Sequence, residues 1–124
     1  MLIVSNDKII EFVRESIKEK KNFSVVINNF LIYYYCNKYV HDDNSVTIAE
    51  TFEIHDLKRH VCLKLCVRDN MKDYISLNES NENITTHEKI NRIEICDVSF
   101  TLADYTIIIV NDMVRISRKK DFSF

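Results

Sequence analysis

The segment Tyr105-Thr-Ile-Ile-Ile-Val-Asn-Asp-Met-Val-Arg-Ile-Ser117 limits the fold more than any other part of this 124-residue chain. Three isoleucines and a valine are interrupted by Asn111-Asp112 and resumed by Met113, Val114 and Ile116. This is the pattern of a β-hairpin whose first arm is buried on both faces. Such an arm belongs in the middle of a sheet, and the rest of the chain has to supply that sheet and its cover.

A chain of this length forms one domain, residues 1–124, with a single core. Apolar residues make up 46% and charged residues 29%, so neither disorder nor a membrane span is expected. The longest apolar run, Phe30 to Cys36, is far short of the ~20 residues a spanning helix requires. Met1-Leu-Ile-Val is followed at once by polar residues, with no basic start and no cleavage site, which predicts a cytoplasmic protein that contacts no membrane. The four cysteines, at 36, 62, 66 and 96, then read as reduced thiols. A net charge of −2 points to neither nucleic acid nor an acidic substrate.

Glycine and proline are both absent, so Asn and Asp have to occupy the left-handed positions of tight turns. Residues with GC-rich codons are scarce, whereas Ile, Asn, Lys and Tyr crowd segments such as Ile90-Asn-Arg-Ile-Glu-Ile and Asn29-Phe-Leu-Ile-Tyr-Tyr-Tyr-Cys. In this the whole chain resembles the small proteins of AT-rich large DNA viruses, poxviruses in particular. The resemblance is one of composition; it implies a viral source and assigns no functional residue.

Ile9, Ile10, Phe12, Val13 and Ile17 share one face of a helix that Ser5 or Asn6 caps and that runs to about Lys20. Phe23 to Ile27 and Phe30 to Tyr35 read as two strands across Asn28-Asn29, in preference to the alternative of a buried helix from Asn22 to Val40, because β-branched and aromatic residues lose side-chain freedom in a helix. Val46 to Ile54 alternates as a further strand. In Leu57 to Arg68 the apolar Leu57, Val61, Leu63, Leu65 and Val67 oppose Lys58, His60, Cys62, Lys64, Cys66 and Arg68. The apolar face changes sides near Cys96, as a bulge or bend would cause. The fold class is therefore α+β: an N-terminal helix packed on a mainly antiparallel sheet, as a half-open barrel or a two-layer sandwich.

Each cluster of reactive side chains has a simpler explanation. Cys62 and Cys66 on an extended strand lie roughly 13 Å apart, too far to share a zinc ion; only a helix would bring them together. Cys62 beside His60, Lys58 and Lys64 lacks any signature of a thiol enzyme. Asp42, Asp43 and Asp56, with His41, Glu53 and His55, suit metal-dependent hydrolysis only if they converge, and Asp-Asp is an equally good turn former. A phosphate-cradling loop is excluded for want of glycine. No catalytic residue, metal ligand or cofactor is therefore assigned. The expectation is a non-catalytic module that binds another protein, a host factor if the source is viral, through Lys58, His60, Lys64, Arg68, Tyr34, Phe122 and Phe124. The runner-up is a nucleic-acid binder using the basic strand face and the C-terminal tail, and an edge strand offers a route to a homodimer.

Overall fold

A computed structural model describes residues 6–80 and 92–119. Among these residues the helix α1 (Asn6–Lys18) is followed by nine strands: β1 (Phe23–Ile27), β2 (Phe30–Val40), β3 (Val46–Asp56), β4 (Val61–Arg68), β5 (Tyr74–Glu79), β6 (Arg92–Ile93), β7 (Asp97–Leu102), β8 (Tyr105–Val110) and β9 (Met113–Arg118). Strands β5-β4-β3-β2-β1 form an antiparallel meander, to whose far edge the two-residue β6 adds in parallel. Strands β7-β8-β9 form a second antiparallel sheet. The two open sheets share one core, with no closed barrel among the described residues: an α+β architecture in two layers.

The alternation of side chains decides what each strand contributes. Phe23, Val25 and Ile27 of β1, Ile32 and Tyr34 of β2, Phe52 and Ile54 of β3 and Leu65 of β4 face Val98, Phe100, Leu102, Ile107 and Ile109 of the smaller sheet. Phe52 and Phe100 meet across the layers, their rings 6.2 Å apart. Val13 and Ile17 of α1 complete this core; Phe12 meets Phe23 edge-on, and Arg14 donates a hydrogen bond to the carbonyl of Ser99 on β7. Each buried apolar side chain contributes about 1.5–3 kcal/mol. No helix among the described residues is long and apolar enough to cross a membrane.

The Tyr105–Ser117 hairpin forms as expected, and β8 is the middle strand of its sheet. Its burial is one-sided, however: Tyr105, Ile107 and Ile109 are buried, whereas Thr106 and Ile108 are half-buried and Val110 is exposed. Among the described residues no further sheet covers the second face of this sheet. The reversal of the apolar face near Cys96 has a larger cause than a bulge. After Ile93 the chain leaves the first sheet, and from Asp97 it runs in the second. Among the described residues Asn28, Asn44 and Asn111 take positive φ in turns, but Lys20, His60 and Ala103 do so too and no aspartate does.

Asn28 joins the layers. Its side-chain amide donates to the carbonyls of Ile95 (3.1 Å) and Asn111 (2.7 Å), and its Oδ1 accepts from the Ile95 amide (2.9 Å). One turn of the larger sheet is thereby tied to the crossing segment and to a turn of the smaller sheet.

Candidate functional site

Because the inner face of the larger sheet is spent on the core, its outer face is where chemistry can sit. Strand register sets this face in rows: Leu31, His55, Cys62 and Asn78; then Tyr33, Glu53, Lys64 and Ser76; then Tyr35, Thr51, Cys66 and Tyr74. Beyond these lie Ala49 opposite Arg68, and Thr47 opposite Tyr39. On the middle strands small side chains lie among longer neighbours, so Thr47, Ala49, Thr51, Cys62 and Cys66 are buried although they point away from the core.

The result is a trough of about 440 Å³. Its floor is Thr47, Ala49, Thr51 and Cys66, and its walls include Tyr35, Tyr39 and Tyr74 with Lys64 and Arg68. The Arg68 guanidinium lies 5.3 Å from the centre of the Tyr74 ring and donates to the carbonyl of Lys72. Its Nε is buried with no acceptor among the described residues. Burial works against the Lys64 ammonium, but the neighbouring Tyr35, Tyr74 and Glu53 outweigh it and raise the pKa above the usual lysine value. Burial and then Glu53 push the Tyr35 phenol upward. Just after β4, Asp69 Oδ1 accepts from the Ile48 amide.

Adjoining the trough, Glu53, His55 and Cys62 bring one donor atom each to a common point. Glu53 Oε1 is 2.7 Å from His55 Nε2, and Cys62 Sγ is 3.7 Å from the same nitrogen and 3.8 Å from the same oxygen. Tyr35 links this cluster to the trough by donating to Glu53 Oε2 at 3.1 Å.

The residues expected to bind a partner separate. Lys64 and Arg68 line the trough. Tyr34 does not belong there: it is 1% exposed, stacks on Phe23 in the core, and donates to Glu50 Oε1 at 2.7 Å, because the middle tyrosine of the triplet takes the inner face. Lys58 and His60 are not on a strand, since Leu57–His60 form the turn before β4. Lys58 is paired with Asp112 at 3.6 Å, and His60 holds φ at 56°. Nor is the outer side of β4 a solvated face, for Cys62 and Cys66 are buried and Lys64 and Arg68 half-buried. Phe122 and Phe124 lie outside the described residues.

The carboxylates do not converge. Asp43 accepts from the Ser45 amide beyond one end of the 11-residue β3, and Asp56 ends the other, roughly 30 Å away. Asp56 is occupied with the turn, accepting from Asn29 and the amides of Lys58 and Arg59 and pairing with the Arg59 guanidinium. Cys62 and Cys66 remain four residues apart on one strand, as the extended spacing requires. Two other clefts carry carboxylates and an arginine but no histidine or cysteine. One of about 580 Å³ lies between α1 and β7. The other, about 410 Å³, is an apolar gap beside Leu63, Leu77 and Met113, left where the narrower sheet stops short of β5.

Sequence reading missed the Glu53, His55 and Cys62 cluster. Glu53-x-His55 on one strand face was the available signal, but its third member depends on the pairing of His55 with Cys62 across a four-residue turn. Compared with known proteins, the chain matches no family model, no curated protein and no solved structure.

Proposed function

We propose that this chain is a non-catalytic module that holds another protein against the outer face of its larger sheet. The observation that carries the reading is the trough with its small floor, three tyrosines and two cations. Tyrosine and arginine combine apolar area with hydrogen bonding at little entropic cost and dominate the energetics of protein contacts. The half-buried Lys64 and Arg68 side chains on the trough wall suit a carboxylate or backbone carbonyl of the partner. On the compositional resemblance to AT-rich DNA viruses, the partner is a host protein and the setting the host cytoplasm.

Nucleic-acid binding draws less support from this arrangement. Lys58 and Arg59 are neutralised by Asp112 and Asp56 at the opposite end of β4 from Arg68, which leaves no continuous basic stripe on that strand.

The test is affinity purification from the native cellular setting after nuclease treatment, comparing the parent with Tyr39→Ala, Tyr74→Ala and Lys58→Ala. A stoichiometric protein lost with either tyrosine substitution but retained with Lys58→Ala supports the reading. Retention in the tyrosine variants, or a ligand removed by nuclease, overturns it.

A homodimer is a second reading, favoured by β5. This edge strand leaves Ile75 50% and Leu77 66% exposed, and pairing with a second copy would cover both. Sedimentation of the parent against Leu77→Lys decides it: a dimer converted to a monomer supports the contact, and a monomeric parent ends it.

A further inference from the structure

The geometry points to a zinc-binding site formed by Glu53, His55 and Cys62, an inference that goes beyond the binding-module reading and stands without it. A tetrahedral ion at Zn–N and Zn–O of about 2.0–2.1 Å and Zn–S of about 2.3 Å separates its ligand atoms by roughly 3.3 Å for N to O and 3.5 Å for either to S. The two sulfur separations, 3.7 and 3.8 Å, already lie within a few tenths of an Å of that. Only the 2.7 Å separation of Glu53 Oε1 from His55 Nε2 has to open, by about 0.6 Å, less than a carboxylate rotation supplies.

The arrangement is not that of a cysteine nucleophile with its base. In such a triad the thiol and the orienting carboxylate meet opposite nitrogens of the imidazole. Here both meet Nε2, while Nδ1 lies 2.7 Å from Ser80 Oγ. In the metal-free chain the Cys62 thiol donates to Glu53 Oε1, and a cation at the common point of the three donor atoms takes the place of the protons that hold them together.

The surrounding contacts are those that orient metal ligands. With zinc bound, the His55 proton sits on Nδ1, 2.7 Å from Ser80 Oγ as its acceptor, and the Nε2 lone pair faces the ion. Tyr35 holds Glu53 Oε2, so that Oε1 is the oxygen turned toward His55 and Cys62. The Tyr33 ring, edge-on to the imidazole at 5.5 Å, limits its rotation. His55 and Cys62 are buried and Glu53 is largely so, on two paired strands that fix their spacing.

Carboxylate, imidazole and thiolate together select a borderline divalent ion, and zinc accepts all three. Binding releases the Cys62 thiol proton to solvent and leaves His55 neutral, so the ligand charge of −2 balances the cation. Water takes the fourth position.

Cobalt(II) titration of the metal-free full chain under a non-thiol reductant tests the site, because cobalt reports both sulfur ligation and geometry. One equivalent is expected to give a thiolate-to-cobalt charge-transfer band and intense tetrahedral visible bands, both abolished by one equivalent of zinc. Cys62→Ser removes the charge-transfer band, Cys66→Ser retains it, and Ser80→Ala weakens zinc binding about 10- to 100-fold. X-ray absorption of the zinc-loaded parent needs no variant and is expected to show one sulfur with nitrogen and oxygen neighbours. No stoichiometric sulfur-ligated metal in the parent, or a charge-transfer band that survives in folded Cys62→Ser, overturns the assignment.

Discussion

Replacing Asn28 tests what holds the two sheets together. The residue is 7% exposed, makes three hydrogen bonds to Ile95 and Asn111, and sits at φ 52°. Asn28→Gly removes the three bonds without backbone strain. At about 1 kcal/mol each, plus about 0.5–1 kcal/mol for the extra freedom of glycine in the unfolded chain, the loss comes to about 3–4 kcal/mol. Asn28→Ala loses the same bonds and places a Cβ in the left-handed region, a further cost of about 1–2 kcal/mol in place of the glycine entropy, for a total near 4–5 kcal/mol. Asn28→Asp keeps the acceptor for the Ile95 amide but sets a carboxylate oxygen against two carbonyls, so it falls below glycine as well. Against a typical stability of about 5–15 kcal/mol these are large fractions. Urea unfolding followed by circular dichroism measures them as shifts of midpoint at constant m-value. A loss below about 1 kcal/mol for Asn28→Gly, or an alanine variant more stable than the glycine one, would refute the reasoning.

Three further substitutions address charge and strain. Burial raises the Asp56 carboxyl, but hydrogen bonds from Arg59 and Lys58 outweigh it and its pKa is lowered. Its contribution is therefore present above the unfolded value near ~3.9 and disappears as pH falls through the folded one. Asp56→Asn is expected to cost about 2–3 kcal/mol at pH 7, with the difference from the parent shrinking as pH falls below the unfolded carboxyl value in denaturant titrations. Burial, reinforced by Glu50, pushes the Tyr34 phenol well above the usual range, so its contribution is complete below the unfolded pKa of ~10 and declines at higher pH. Tyr34→Phe should lose about 1.5–2 kcal/mol at neutral pH, and parent and variant should converge in alkaline unfolding curves. Ala103 holds φ at 51° in the turn between β7 and β8, and Ala103→Gly should raise stability by about 0.5–1 kcal/mol, seen as an increase of about 2–4 °C in Tm.

The elements themselves were legible because they depend on local pattern. Period-3.6 spacing of Ile9, Ile10, Val13 and Ile17 set the helix, and Asn28-Asn29 and Asn111-Asp112 between β-branched runs set two hairpins. Of the site, Lys64 and Arg68 were legible as long polar side chains on one strand face. Tyr34 was not, since a run of three tyrosines does not say which one faces the core. Lys58 and His60 were misplaced because alternation was extended back through a four-residue turn.

By itself the sequence determined the α+β class, the principal hairpins and the replacement of glycine by asparagine at several left-handed turns, all consequences of side-chain spacing and backbone sterics within a few residues. Only the tertiary structure decided that the chain divides into two sheets, that small residues facing away from the core become buried between long neighbours, and that Glu53 and His55 meet Cys62. These depend on strand register and on which layer covers which face. Such relations join residues distant in the chain, and no local pattern encodes them.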